Sequence, residues 1–243
     1  EIVLNGNLAV DNGGDLTFRR VTLKLNCTYA GQYSILVNPG GKFYVLEGSV
    51  ITSVDSAKGY SFTVMRDSTF RMSDSELHHC GWEPTGWHRQ ALYILSDDTV
   101  VENSLISHNN FFGIAVGGSG IIRDNNITAN KESGIVVGGD GINPTIYNNY
   151  ISWNNVSGIE VLGCCSPIIY NNTVTSNLWA GINPHHNATP IIKNNVIMRN
   201  EIGIFCVSNS SPTISDNRIA ENLGGGIGCF EHSDAIIQGN TIT

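Results

Sequence analysis

The segment Thr145-Ile146-Tyr147-Asn148-Asn149-Tyr150-Ile151-Ser152-Trp153-Asn154-Asn155-Val156-Ser157-Gly158-Ile159-Glu160-Val161 decides the fold. Two short apolar runs, Thr145-Ile146-Tyr147 and Gly158-Ile159-Glu160-Val161, are separated by Asn, Gly and Ser, the pattern of strands bounded by turns. Outward from this stretch the pattern repeats. The column of Asn149 reads Asn103, Asn125, Asn149, Asn172, Asn195, Asn217 and Asn240, at intervals of 22, 24, 23, 23, 22 and 23 residues. A second column, five residues later, reads His108, Asn130, Asn154, Asn177, Asn200 and Asn222. A third signature is the pair Gly113-Ile114, Gly134-Ile135, Gly158-Ile159, Gly181-Ile182, Gly203-Ile204 and Gly226-Ile227.

A fixed period in the low twenties means stacked repeats, none of which buries its apolar face alone. Leucine-rich repeats share the period but need a Leu-spaced consensus, which is missing here. No segment carries a helical period over about twelve residues. Two to three short strands per repeat, stacked in parallel, give an all-β fold: a single-stranded right-handed parallel β-helix of about nine to ten coils. Coils then lie roughly 4.8 Å apart, close enough for stacked Asn side chains to bond amide to amide. Asn also tolerates the left-handed backbone of a tight corner. The Asn columns therefore read as structure.

The first hundred residues follow the plan with longer, looser coils. Asn7-Leu8-Ala9-Val10 with Gly13-Gly14-Asp15-Leu16 is echoed by Ile35-Leu36-Val37 with Gly40-Gly41-Lys42-Phe43, and again by Phe62-Thr63-Val64. Residues 1–243 read as one domain, with irregular coils over 1–102 and regular ladder coils over 103–243. The chain stops partway through a coil at Gly239-Asn240-Thr241-Ile242-Thr243, which predicts a piece of a longer protein, or end-to-end or lateral self-association.

A formal net charge of -8 argues against nucleic acid, and against acidic polysaccharide held by bulk charge. No stretch approaches the roughly twenty apolar residues of a membrane span. The sequons Asn26, Asn155, Asn187 and Asn209 are glycosylation candidates, and Asn126 and Asn171 adjoin the ladder. Six cysteines suit an oxidising exterior without forming a disulfide-dense scaffold. Cys206 and Cys229 share one repeat position, predicting a column of buried thiols. The expected location is extracellular or at the cell surface.

Function is sought in what varies between coils. Taking each Gly-Ile pair as the start of a strand, the second position after Gly reads Ala115, Val136, Glu160, Asn183, Phe205 and Gly228, and the fourth reads Gly117, Gly138, Leu162, His185, Val207 and Phe230. Both rows are expected to face outward. Glycine gives way to Glu160, His185, Glu231 and His232 in the later coils, with Trp153 and Trp179 on the approach. An aromatic strip with a carboxylate and amides suits a sugar, whose apolar ring face stacks on Trp while its hydroxyls bond to polar side chains. Trp153, Glu160, Trp179, Asn183 and His185 form the candidate carbohydrate-binding surface, with a polysaccharide or glycan as partner. No cofactor is predicted. The one cluster with metal-ligand chemistry is His78, His79, Cys80 and His88, which has donors suited to copper or zinc without a tight template; a corner histidine at His79 is the structural alternative. Calcium sites built from clustered acids find no counterpart beside Lys193 or Arg199.

Asn183-Pro184-His185-His186 resembles the Asp-Pro-His-Asp strand motif of the alginate C5-epimerases, which take and return a proton beside a uronate carboxylate. Pro184 and His185 match; Asn183 and His186 replace the two acids. The resemblance implies, as the enzymatic alternative, a polysaccharide epimerase, lyase or hydrolase that uses His185 with Glu160. The ladder, the Gly-Ile strands and the Asn-Pro-x-Ile corners together resemble the NosD-like or CASH group of right-handed β-helix domains. That resemblance implies secreted carbohydrate-binding or sugar-hydrolysing proteins. The front coils are similar to modules of large archaeal surface proteins. A structural and carbohydrate-binding module without catalysis is the leading expectation, and a metal-binding periplasmic module is a third.

Overall fold

The computed structural model describes residues 1–82 and 92–243, and among these residues there are strands but no helix. The strands form three parallel sheets that wind as a right-handed β-helix of about ten turns. Each coil contributes three strands, one per sheet. The first sheet runs from Ile2–Leu4 to Thr241–Ile242 in eleven strands, the second from Leu8–Val10 to Gly225–Cys229 in ten, and the third from Asp15–Arg19 to Ile236–Gln238 in ten.

Register stacks like on like. Ile127, Ile151, Val174, Ile197 and Ile219 align in the first sheet, Ile135, Ile159, Ile182 and Ile204 in the second, and Ile146, Ile169, Ile192 and Ile214 in the third. All these side chains are fully buried in one continuous core. Such β-branched residues fit a pleated, tightly packed surface, and each contributes roughly 1.5–3 kcal/mol by leaving water. The front coils are longer: Ser34 bonds to Asn7 across 27 residues, whereas Ser104 bonds to Asn125 across 21. Their core is filled by Phe18, Phe43, Phe62 and Phe70, whose rings pack 5.1–6.0 Å apart.

The corners explain the asparagines. From Ile121–Arg123 onward each third-sheet strand is followed by a left-handed residue, as at Asp124, Asn148, Asn171, Asn194 and Asp216, and the next residue is the ladder Asn. Asn149, Asn172 and Asn195 each use the side-chain oxygen to accept both the backbone N–H and the side-chain amide of the Asn one coil earlier. The ladder continues through Asn217 to Asn240. Two registrations need correction. Asn103 is not a rung: it is an exposed left-handed corner with φ 47°, and Ser104 takes the ladder place, its N–H donating to Asn125 Oδ1. Likewise His108 is a left-handed corner, and Asn109 is the rung above Asn130. In both cases a Ser or Asn follows the residue first aligned, and only the burial of its side chain separates the two.

The Gly of each Gly-Ile pair has a packing reason. A Cβ on Gly181 would lie 2.5 Å from Ile197 Cγ2 and 2.7 Å from the Gly203 carbonyl, so the coil turns into the second sheet too tightly for any side chain.

Candidate functional site

Alternation along the second sheet sends Glu160, Asn183 and Phe205 outward between buried neighbours, with Leu162, His185 and Val207 two residues further on each row, as the sequence predicts. Glu160 pairs in register with Asn183, and Leu162 with His185. Upstream, the outward Ala115 and Val136 are nonetheless buried, because Phe111 and Phe112 fold over them together with Tyr93 and Leu162. The outward glycines are covered as well: Leu95 lies over Gly117, and Leu162 over Gly138. Past this cover, the first polar side chain on the outward row is Glu160.

Glu160 is held from the preceding coil by Ser133, whose hydroxyl donates to Oε1 and accepts the Ser157 N–H at 3.0 Å. His185 Nε2 lies 3.9 Å from Glu160 Oε2, and each side chain is only 16% exposed. His185 Nδ1 is hydrogen-bonded to His186 Nδ1. Two buried polar atoms here make no hydrogen bond within the protein, Asn183 Oδ1 and His185 Nε2. Desolvation pushes the Glu160 carboxyl above its ordinary value, only partly countered by the Ser133 hydrogen bond. Desolvation likewise pulls the His185 imidazole below its ordinary value, helped by the charge of His186. Both shifts favour neutral side chains. The pair can offer and accept hydrogen bonds from one small polar patch.

An aromatic run adjoins this patch. Trp179 packs edge-on against Phe205 at 5.6 Å and 80°, and Phe205 meets Phe230 at 5.4 Å and 46°. Trp179 and Phe230 are exposed. Trp153 stands on a different column, at the left-handed corner (φ 57°) that closes Tyr150–Ser152 of the first sheet, and is 65% exposed. Glu231 and His232 lie past the last second-sheet strand, at left-handed corner positions, and Glu231 accepts a hydrogen bond from Ser208 at 2.8 Å.

The histidine–cysteine cluster does not converge. His78 faces outward, its Nε2 2.9 Å from Glu76 Oε2 and its Nδ1 3.0 Å from Ser107 Oγ. His79 is a left-handed corner whose Nδ1 lies 2.9 Å from Thr52 Oγ1. Cys80 points into the core, where burial drives its thiol far above the usual range. His88 lies outside the described residues, and among those described no group of three or more His, Cys, Asp or Glu is placed to hold a metal. The sequon residues Asn26, Asn155, Asn187 and Asn209 are all exposed. Cys206 and Cys229 align as the repeat predicts, and both are free, but Cys229 is exposed because its strand is the last of the second sheet.

Sequence reasoning missed Ser133, the residue that anchors Glu160. The signal available was the serine preceding both Gly134 and Gly158, which marks a repeat position aimed at the next coil. It also missed the cover of Phe111 and Phe112, since nothing local says that a turn folds back over the sheet.

No curated protein sequence is significantly similar to this chain. Among solved structures it is similar to a mutant of the periplasmic alginate epimerase AlgG, with a TM-score of 0.65 at 11% identity, covering 99% of this chain and 78% of that one. It is similar to the Dettilon tailspike protein, with a TM-score of 0.76 at 17% identity, covering 99% of this chain and about half (53%) of the tailspike. It is also similar to the A-module of the Azotobacter vinelandii mannuronan C-5 epimerase AlgE4, with a TM-score of 0.50 at 14% identity, covering 98% and 89%. At these identities the likeness is one of fold. The family model for the right-handed β-helix region matches residues 6–141 and 90–242, and with the wound sheets, stacked isoleucines and ladder corners it establishes that the chain belongs to that β-helix family.

Proposed function

We propose that residues 1–243 act as one carbohydrate-binding and structural module of the NosD-like or CASH type, displayed outside the cell or at its surface, with the outer face of the second sheet as the binding surface. The observation that carries this reading is the adjacency of the Trp179–Phe205–Phe230 run to buried polar atoms that lack partners at Asn183 and His185. Buried polar groups are nearly always satisfied. A sugar hydroxyl is a donor and an acceptor on an otherwise stackable ring, so it suits this polar patch while the ring covers the aromatics. The alginate epimerases and the tailspike support the reading at the level of fold. Exposed Asn26, Asn155, Asn187 and Asn209 are available as glycan acceptors on such a protein.

One observation favours a second reading, a polysaccharide-active enzyme. A carboxyl and an imidazole held 3.9 Å apart, both shifted towards neutrality, are suited to moving a proton. Against it, epimerase, lyase and hydrolase chemistry all need a further acid or base. Glu160 is the only acidic residue in the second-sheet strands from Ile114–Val116 to Gly225–Cys229. A glycan-array screen, with mass spectrometry of the same wells, tests both readings. Binding without new products, lost in Trp179→Ala, is expected. Epimerised, unsaturated or shortened sugars establish the enzyme instead. Silence in both channels refutes both.

A further inference from the structure

The charge pattern of the second sheet says which glycans the proposed surface accepts. Among the described residues, no strand of this sheet contains a lysine or arginine, from Leu8–Val10 to Gly225–Cys229. The chain's basic residues go elsewhere. Lys42, Arg71, Arg123 and Lys193 stand on the third sheet, and Lys24 and Arg218 on the first. Among the described residues, three cations flank the face from the turns between the first and second sheets: Lys131 is exposed, Lys58 is paired with Asp55 at 3.1 Å, and Arg199 is already paired with Glu221 at 2.8 Å. Arg66 follows Ser61–Val64, four second-sheet strands before Glu160, which stacking places roughly 19 Å away. Arg89 lies outside the described residues.

We infer, resting on the carbohydrate-binding reading, that this surface selects uncharged polysaccharides and rejects polyuronates. A uronate seated here would bring a carboxylate beside Glu160 and under the aromatic run, with no guanidinium or ammonium on any described strand of the sheet to receive it. Taking an anion out of water without a partner is among the costliest steps in recognition, and like charges in contact act as a specificity filter. An uncharged pyranose meets none of this. Its hydroxyls suit the polar patch of Glu160, Asn183 and His185, and its apolar face covers Trp179 and Phe205. The specificity is therefore opposite in sign to that implied by the Asp-Pro-His-Asp resemblance, and the replacement of its acids by Asn183 and His186 agrees with a surface that handles no uronate.

The test is titration of the protein with neutral gluco-, manno- and galacto-oligosaccharides and, in parallel, with oligomannuronate and oligogalacturonate, each with and without calcium chloride. The expected result is saturable binding of at least one neutral series, at least tenfold tighter than either uronate series, and weakened at least tenfold in Phe205→Ala. Val207→Lys, which places an ammonium one strand from His185, is expected to raise uronate affinity several-fold without a change in melting temperature. Uronates bound as tightly as neutral sugars, with or without calcium, and lost in Trp179→Ala, overturn the selectivity while the binding reading stands. No binding of any series overturns both.

Discussion

Replacing Asn172 by leucine isolates the worth of one ladder rung. The side chain is 1% exposed. Its Oδ1 accepts the Asn149 backbone N–H at 2.9 Å and the Asn149 amide at 3.0 Å. Its Nδ2 donates to Ile146 O, Tyr170 O and Asn195 Oδ1 at 3.0, 3.1 and 3.0 Å. Leucine has a similar volume and makes none of these bonds. The neighbours lose unequally. The Asn149 amide still reaches Ile122 O and Tyr147 O at 3.0 Å, and Asn195 Oδ1 keeps the Asn172 N–H at 2.9 Å. The Asn149 backbone N–H loses its side-chain acceptor and is left buried. Stranding one buried donor costs about 1–3 kcal/mol, and each further net hydrogen bond lost about 0.5–1.5; apolar burial of the leucine offsets part of this. The net expectation is about 2–3 kcal/mol. For a chain of this length that lowers the melting temperature by roughly 5–10 °C, read by far-ultraviolet circular dichroism. The control is Asn171→Gly, one residue earlier. Asn171 is exposed and left-handed at φ 55°, a conformation glycine adopts freely, so its shift is expected to stay within about 2 °C. An unchanged midpoint in Asn172→Leu, or an equal loss in Asn171→Gly, refutes the division of labour between the two asparagines.

Gly181→Ala is expected to cost about 1–3 kcal/mol by overpacking, because its Cβ meets Ile197 and the Gly203 carbonyl at 2.5 and 2.7 Å; urea midpoints of wild type and variant check this. Glu160→Gln is expected to stabilise the protein at pH 7 while keeping the acceptor for Ser133. A folded carboxyl raised above its ordinary 4.5 holds its proton more tightly than the unfolded one, so wild-type stability falls as pH rises from about 4.5 through the raised value. The advantage of the variant should vanish below that window, and one that persists in acid refutes the assignment. Native labelling with a thiol reagent is expected to modify Cys164 and Cys229 rapidly, and Cys27, Cys80, Cys165 and Cys206 only on unfolding, counted by intact mass. Burial of the last four raises the pKa of each as well as hiding it.

The winding was legible because a stacked solenoid asks the same thing of the same position in every coil. From Asn125 to Asn240 each rung must be small, buried and able both to donate and to accept, and only asparagine meets that demand repeatedly. The first rung was misplaced for the same physical reason. At Asn103-Ser104 the two neighbouring jobs, left-handed corner and buried acceptor, fell to different residue types, and Asn suits either. Outward-facing Glu160, Asn183 and His185 followed from strand alternation alone. What held them was not legible. Ser133 reaches Glu160 from another coil, and the Phe111–Phe112 cover depends on the path of a turn, which no periodicity encodes.

The coil that joins Cys80 to Asn109 runs 29 residues, yet it keeps the same hydrogen bond from ladder N–H to side-chain oxygen that later coils make over 21 to 24. Leu77 still stacks on Ile106 across it. The described strands on either side of this longer connection thus keep the register of the other coils. For evolution such a connection is an open socket: a coil can change the number of residues between its first and second strands while those strands stay in register with their neighbours. For engineering it marks the joint after Cys80 as the place to graft a foreign recognition loop between strands that hold their register across a longer connection.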